Sequence, residues 1–222
     1  IGVSYSILSA PVFIAYDKGY FSDEGLDVTL KFYPSGKKAM EGMFAGEVDV
    51  STVADTPIVF NSFIRDDFTI FATFVYSYKD CKVLGRKDRG VKHPEDLRGK
   101  KIGTSFGTSA HFFAQVYLSE YGIAKSDVKF VDIPSRDLPE AIHGGKIDAI
   151  VIFEPYAYQA GKTLPDNIVR LPESKLYRET FNLAVMKQFA AGHPEILKRI
   201  VKGLDRAIEF IKHNEKDSIT IA

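Results

Sequence analysis

The side chains best suited to chemistry in this chain are hydroxyl and acidic groups that directly follow predicted strands. Such strand ends fall at residues 9–11, 52–56, 106–109, 134–137 and 153–156. In open α/β sheets, ligands bind beyond the carboxyl ends of the strands, where helices begin. Helix N-termini present unpaired N–H groups and about half a positive charge, so they suit oxyanions such as sulfonate, nitrate or carboxylate. The sequence therefore predicts a binding site for a small polar molecule.

The candidate ligand-binding residues share a position at or beside one of these strand ends. They are Ser9, Pro11, Thr52, Asp55, Thr56, Tyr78, Gly107, Thr108, Ser109, Asp137, Glu154 and Tyr156. Ser, Thr and Asp are also common helix N-caps, so each of them has a purely structural alternative. Glu154 is harder to explain as a cap, and an amine on the ligand would give its carboxylate a partner. The pattern thus favours an anionic or zwitterionic ligand.

The sequence offers few groups of residues whose types and spacing suit catalysis or metal binding. The histidines form no pair at metal-ligand spacing; they are His93, His111, His143, His193 and His213. The stretch from Gly103 to Gly107 lacks the lysine and the third glycine of phosphate-binding loops. Cys81 is the single cysteine, which excludes an internal disulfide. Its neighbours Lys79 and Lys82 offer one way to lower the pKa of its thiol, but a lone cysteine is more often inert. We therefore expect a protein that is not an enzyme and that has no cofactor and no metal.

Composition narrows the class of partner. The chain has 222 residues, with 29 Lys and Arg against 29 Asp and Glu. Because the charges balance, the chain has no net positive charge that would attract nucleic acid or an anionic membrane. The sequence also contains no basic run with interleaved aromatic residues. No apolar run approaches the ~18 to 20 residues of a membrane span. The length suffices for two small domains, each with a core.

The chain repeats one pattern twice. Gly46-Glu47-Val48-Asp49 leads into the apolar run 50–53, and Gly145-Lys146-Ile147-Asp148 leads into the apolar run 149–153. Upstream of each copy lies a helix-like stretch that ends in a Gly-apolar pair, where glycine can adopt the left-handed conformation that stops a helix. An extended stretch follows each pair. We therefore expect two α/β units with a ligand cleft between them.

The predicted elements give these units their bounds. The strands include residues 3–8, 27–33, 69–76 and 181–186, and an amphipathic helix covers 194–214. The strand at 181–186 has no place in a second unit already matched to the first. Lobe 1 is therefore predicted to comprise residues 1–78 and a return segment, 180–222, and lobe 2 residues 84–175.

Several motifs resemble one family. Four parts of the chain resemble ABC-transporter solute-binding proteins of the nitrate/sulfonate/taurine/bicarbonate group, which includes thiamine-pyrimidine-precursor binders. They are the segment from Pro11 through Ala15 to Val28, the two repeats above, the run Asp96 to Gly103, and Glu154-Pro155. The resemblance implies a type II periplasmic-binding-protein fold, with two α/β lobes joined by a two-strand hinge. It also implies ligand loops at Ser9, 52–56, 107–109, Asp137 and Glu154.

The resulting functional prediction is an extracytoplasmic solute-binding protein. It would capture a small sulfonate-, taurine- or nitrate-like molecule or a pyrimidine precursor, and deliver it as a monomer to the membrane permease of an ABC importer. Its location would be periplasmic or extracellular, with a lipid anchor at an absent N-terminus as one option. Two alternatives stay open: the sensor domain of a membrane signalling receptor, and an enzyme on the same fold. The enzyme requires a convergent acid/base set that the sequence does not show, and the cysteine cluster and reactive Lys/His arrangement of the pyrimidine-synthase relatives are not found in it.

Overall fold

The computed structural model describes residues 1–221, and Ala222, the last residue of the predicted return segment, lies outside them. The strands are β1 (Gly2–Ser4), β2 (Lys31–Tyr33), β3 (Val50–Ala54), β4 (Phe68–Ser77), β5 (Cys81–Arg86), β6 (Lys101–Thr104), β7 (Lys129–Asp132), β8 (Ala149–Phe153), β9 (Ile168–Arg170) and β10 (Glu179–Met186). The helices are α1 (Ala10–Asp17), α2 (Tyr20–Asp23), α3 (Gly36–Phe44), α4 (Asp55–Ser62), α5 (Ser109–Glu120), α6 (Leu138–His143), α7 (Tyr156–Thr163), α8 (Lys187–Gly192), α9 (Pro194–His213) and α10 (Glu215–Ile221). The chain is therefore α/β.

The first compact unit comprises Ile1–Tyr76 and the segment from Thr180 onward. Its sheet has the order β2-β1-β3-β10-β4. β1 runs parallel to β2 and β3, and β10 runs antiparallel to β3, with Asn182 opposite Val53. All of β3 is buried, as expected for a strand covered on both faces. Helices α1 and α4 follow β1 and β3, so both begin at the carboxyl edge of this sheet.

The second compact unit comprises Ser77–Glu179, and its sheet has the order β7-β6-β8-β5-β9. β6 runs parallel to β7 and β8, whereas β5 runs antiparallel to β8 and β9. The two sheets thus share one layout, in which an antiparallel strand lies beside the third parallel strand. The unit boundaries fall within β4 and at the start of β10, so these two strands carry the chain between the units.

Each unit has its own apolar core. In the first unit, α9 buries Ile200, Gly203, Leu204 and Ala207, which lie on one face at helical spacing. In the second unit, fully buried side chains from β6, α6, β8 and the loop before β8 form one cluster; among them are Ile102, Leu138, Ile142, Ile147 and Ile150. Among the described residues, no helix has both the length and the apolar character that a membrane crossing requires.

Two predicted strands were wrong in extent. The strand expected at residues 3–8 stops at Ser4, and Ile7–Ser9 forms a 3-10 turn because the Ser6 hydroxyl accepts a hydrogen bond from the Leu8 amide at 3.1 Å. A local serine bond of this kind competes with sheet pairing. The strand expected at 27–33 begins only at Lys31, whose amide bonds the Ile1 carbonyl at 2.9 Å.

Candidate functional site

In the first unit, the structure brings Ser9 and Thr52 together. The Ser9 hydroxyl donates to the Ser4 carbonyl at 2.9 Å, and the Thr52 hydroxyl accepts from the Ser4 amide at 2.8 Å. The two hydroxyl oxygens lie 3.5 Å apart, and both side chains are fully buried. Pro11 is buried in the first turn of α1. These groups tie β1, β3 and the start of α1 together at the carboxyl edge of the sheet.

Asp55 and Thr56 form a second contact at this edge. The Thr56 hydroxyl donates to Asp55 Oδ1 at 3.1 Å, and the Thr180 amide donates to Asp55 Oδ2 at 3.0 Å. Asp55 therefore joins the first turn of α4 to β10. Its charge also lies in the first turn of a helix, where the helix dipole stabilises it. Asp55 thus has partners within its own unit.

In the second unit, the loop after β6 prepares the N-terminus of α5. Gly107 has a φ of +77°, a conformation that L side chains rarely adopt, and Thr108 follows as the N-cap residue. The Thr108 hydroxyl donates its proton to the Ser105 carbonyl at 2.6 Å, so this proton is already used in a hydrogen bond within the loop. Ser109, the first residue of the helix, is buried, and its hydroxyl lies 3.9 Å from the Cys81 sulfur. Of these residues, Ser109 is therefore the better placed to donate to a ligand.

Glu154 connects the end of β8 to two partners. Its carboxylate accepts the Tyr158 amide at 2.8 Å and the Arg170 guanidinium at 3.1 Å. It thereby caps the first turn of α7, in which Tyr156 packs edge-on against Phe153. The fold thus already supplies two partners for Glu154, so its carboxylate does not require a ligand amine.

This arrangement predicts a graded effect of substitution at Glu154. Glu154→Ala removes both contacts and is expected to lower the free energy of unfolding by about 1–2 kcal/mol. Glu154→Gln keeps an acceptor for the Tyr158 amide and loses only a partly exposed ion pair, so the loss should stay below about 1 kcal/mol. Urea denaturation measures both, and equal losses would contradict the capping role.

Asp137 and Tyr78 are the most exposed of the candidates. Asp137 is the N-cap residue of α6, yet its side chain makes no capping bond and lies 3.5 Å from Arg136. Tyr78 is 43% exposed in the turn between β4 and β5. Both are therefore accessible to solvent in the structure, in contrast to the buried Ser109.

Sequence reasoning missed a buried acidic cluster at the same edge of the second sheet. Asp80, Cys81 and Glu179 each place a possible ligand atom within 4.8 Å of the others. The Cys81 sulfur lies 3.5 Å from Glu179 Oε2. Cys81 pairs with Phe153, the last residue of β8, which fixes the cluster beside the N-termini of α5 and α7. Asp80 and Glu179 are 99 positions apart in the sequence, so no local pattern could have joined them.

Burial sets the protonation of this cluster. Desolvation, followed by the charge of Glu179, raises the pKa of the Cys81 thiol well above its usual range. Of the two alternatives for Cys81, the structure therefore favours the inert thiol, because the thiol is buried among acids. Desolvation and the charges of Glu179 and Glu154 likewise raise the pKa of Asp80 well above the ordinary aspartate value, against the opposing charge of Lys82.

Other polar atoms at this edge lack partners. Among the described residues, Asp80 Oδ1 and the hydroxyls of Thr104 and Ser135 are buried without a hydrogen bond. Thr104 ends β6, and Ser135 follows β7. Buried polar atoms normally find a partner, so each of these calls for an explanation. A ligand bound at the carboxyl edge of the sheet would provide one.

A separate cavity of about 620 Å³ lies in the first unit. Its lining includes Ile1, Lys31, Val50, His193 and Arg199. Lys31 and Val50 begin β2 and β3, so this cavity lies at the opposite edge of the sheet from the helix N-termini. Because ligands of open α/β sheets bind at the carboxyl ends of strands, we do not assign the site here.

Comparison with known proteins identifies the family. Residues 7–218 match the model of the family described as NMT1/THI5 like. The chain belongs to the NMT1/THI5-like family. A relative from Bacillus subtilis (strain 168), named as an aliphatic sulfonates-binding protein, is 28% identical over 96% of this chain. The taurine-binding periplasmic protein of Escherichia coli (strain K12) is 23% identical over 91% of this chain.

Solved structures agree with the fold. The alkanesulfonate-binding protein from Xanthomonas axonopodis pv. citri, solved bound to MOPS, superposes with a TM-score of 0.86 at 18% identity, over 100% of this chain and 77% of that chain. The predicted periplasmic-binding-protein fold is thereby confirmed. The names of the Bacillus and Escherichia relatives agree with the resemblance to the nitrate/sulfonate/taurine group. This NMT1/THI5-like chain spans 65% of the Bacillus relative and 63% of the Escherichia relative.

Proposed function

We propose that this chain is the ligand-binding part of an extracytoplasmic solute-binding protein for small organic anions or zwitterions of the sulfonate and taurine class. The observation that carries this proposal is the family match over residues 7–218, together with relatives named for sulfonate and taurine binding. Its partner would be the membrane permease of an ABC importer. Its location would be periplasmic or extracellular, and we expect a monomer.

The chemistry of the second unit supports an oxyanion ligand. The start of α5 combines a helix N-terminus with the buried Ser109 hydroxyl, and both stabilise negative charge. The orphaned hydroxyls of Thr104 and Ser135 lie at the same edge and could donate to further oxygen atoms. A sulfonate has three acceptor oxygens, so it can use several such donors at once.

The same site does not favour catalysis. Cys81 is the chain's only thiol, and burial raises its pKa, which disfavours the thiolate that a nucleophile requires. The carboxylates of Asp55 and Glu154 accept hydrogen bonds from groups within their own units, which favours a structural role for both. We therefore propose binding and release of an unaltered ligand, which isothermal titration calorimetry followed by mass spectrometry of the recovered ligand would test.

The proposal predicts a specific role for Ser109. Ser109→Ala should weaken binding of ethanesulfonate by about 1–2 kcal/mol, because one hydrogen bond to a charged group is lost. The matched control is Ser119→Ala, at the exposed far end of the same helix, which should leave the affinity unchanged. Calorimetry measures both variants. Equal affinities for the wild type and Ser109→Ala would remove α5 from the site, and no binding of any sulfonate, nitrate or taurine would overturn the proposed ligand class.

A further inference from the structure

In the second unit, two acidic side chains that are far apart in the sequence lie buried beside each other. Asp80 is 2% exposed and Glu179 is 3% exposed, and their carboxylate oxygens lie within 4.8 Å of each other and of the Cys81 sulfur. Asp80 Oδ1 has no hydrogen-bond partner among residues 1–221. Two carboxyl groups this close and this buried cannot both be ionised unless a cation joins them.

Lys82, whose charge acts on Asp80, binds another acid. Lys82 follows Asp80 by two positions and is also buried, yet its ammonium group binds Glu173 at 2.6 Å. Glu154, the other acid that acts on Asp80, accepts from Arg170 and from the Tyr158 amide. Neither contact provides Asp80 Oδ1 with a donor.

We propose that Asp80 and Glu179 bind the ammonium group of a zwitterionic ligand whose acid group lies at the N-terminus of α5. This inference rests on the proposed function and adds a choice of ligand to it: amino-bearing sulfonates over plain ones. A ligand ammonium has up to three N–H donors, so it can donate to Asp80 Oδ1 and to Glu179 together. The resulting charge-assisted hydrogen bonds are stronger than neutral ones.

The position of Ser109 links the two ends of such a ligand. Its hydroxyl lies 3.9 Å from the Cys81 sulfur, which itself lies 3.5 Å from Glu179 Oε2. The donor for the ligand's acid group, Ser109, therefore lies close to the acceptor for its amine, Glu179, at the same edge of the second sheet. This spacing suits a compact zwitterion rather than a long one. The proposal thus assigns the ligand amine to Asp80 and Glu179 and not to Glu154. The carboxylate of Glu154 already has hydrogen-bond partners within the fold.

The decisive experiment compares two probes that differ only in the amine. Calorimetry with 2-aminoethanesulfonate and with ethanesulfonate should show that the wild type prefers the amino probe about tenfold or more. Asp80→Asn and Glu179→Gln should each remove most of this preference while leaving ethanesulfonate affinity unchanged or higher, because a repulsive charge is lost. Glu120→Gln, an exposed acid on α5, is the matched control and should behave as the wild type.

The possible outcomes separate this inference from the proposed function. Equal affinities for both probes, unaltered in the two variants, would overturn the ammonium site and leave sulfonate binding intact. Binding of neither probe would overturn both. One equivalent of Zn²⁺ bound by the wild type and lost in both variants, without any preference between the probes, would assign the acids and Cys81 to a metal and overturn the ammonium assignment.

A measurement on the wild type alone covers the case in which a variant does not fold. Two carboxyl groups this close and this buried favour a shared proton in the absence of a cation, whereas a bound ammonium favours the ionised pair. The other titratable groups that act on Asp80 are Glu154 and Lys82, with Cys81 adjacent. Binding of the amino probe at neutral pH should therefore release protons, seen as a binding enthalpy that depends on the buffer. An enthalpy that does not depend on the buffer would overturn the inference.

Discussion

Replacing Asp80 by asparagine is expected to stabilise the free protein at pH 7 by about 2 kcal/mol, because a buried acid without an adequate partner is costly. For a chain of this size, that gain corresponds to a rise of roughly 4–8 °C in unfolding temperature. Asparagine keeps the shape of the side chain, and its amide can donate to Glu179. Thermal unfolding followed by circular dichroism measures the change.

The effect of Asp80→Asn should depend on pH with a definite sign. The pKa of Asp80 is raised in the folded state, so the folded chain holds a proton that the unfolded chain releases once the pH exceeds the ordinary value of 3.8. The contribution of Asp80 to wild-type stability therefore falls as the pH rises from that value toward its folded-state pKa. The advantage of the asparagine variant should accordingly be small near pH 4 and grow toward neutrality. An advantage that is constant across this range would contradict the titration of Asp80.

Residue 80 should therefore show a trade-off between the stability of the free protein and its preference for an amino-bearing ligand. The same Asp80→Asn change is expected to stabilise the free protein and to remove most of the preference for an amino-bearing ligand. Binding sites commonly carry such destabilising groups, since their partner arrives only with the ligand. A variant that is stabilised and still prefers the amino probe would separate the two effects.

Replacing Arg86 by methionine is expected to destabilise the second unit by about 2–3 kcal/mol, because buried carbonyls lose their donor. The Arg86 guanidinium donates to the Ile142 and His143 carbonyls at 2.7 and 2.9 Å, and it forms a two-bond ion pair with Asp88. Its side chain is only 11% exposed. It thus satisfies the C-terminal end of α6, the helix that leads back to β8.

Arg98 provides a matched control for Arg86. It also binds one carboxylate, Asp127 at 2.8 Å, and one carbonyl, Gly122 at 2.8 Å, but its side chain is 50% exposed. Water can replace those contacts, so Arg98→Met should cost less than about 1 kcal/mol. Urea denaturation of both variants measures the difference. Equal losses would mean that burial does not determine how much these contacts contribute to the free energy of unfolding.

Much of the fold follows from patterns that the sequence displays locally. Gly25, Gly46, Gly122 and Gly145 all have positive φ angles, and each follows or closely follows a helical segment as the duplicated pattern predicts. The stretches at residues 50–53 and 149–153 form buried parallel strands, and the segment after Pro194, with its apolar residues at helical spacing, forms α9. These features depend on neighbours within a few positions, which is why the sequence reveals them.

The limits of the first strand show where local patterns fail. Residues 3–8 are rich in strand-forming side chains, yet the chain turns after Ser4 because the Ser6 hydroxyl bonds the Leu8 amide. The strand expected at 27–33 likewise pairs only from Lys31 onward. Composition indicates that a strand is present, whereas hydrogen bonding to a neighbour decides where it stops.

The sequence by itself determined the family, the duplicated α/β pattern and the strand ends at which hydroxyl and acidic groups collect. Only the tertiary structure decided which of those groups already have partners. Glu154 meets Arg170, and Asp55 meets Thr180, across 16 and 125 positions of chain. The pairing of Asp80 with Glu179 likewise requires β5 and the start of β10 to meet. Burial and charge neighbours set the protonation and the availability of a side chain, and both arise only when distant segments pack together.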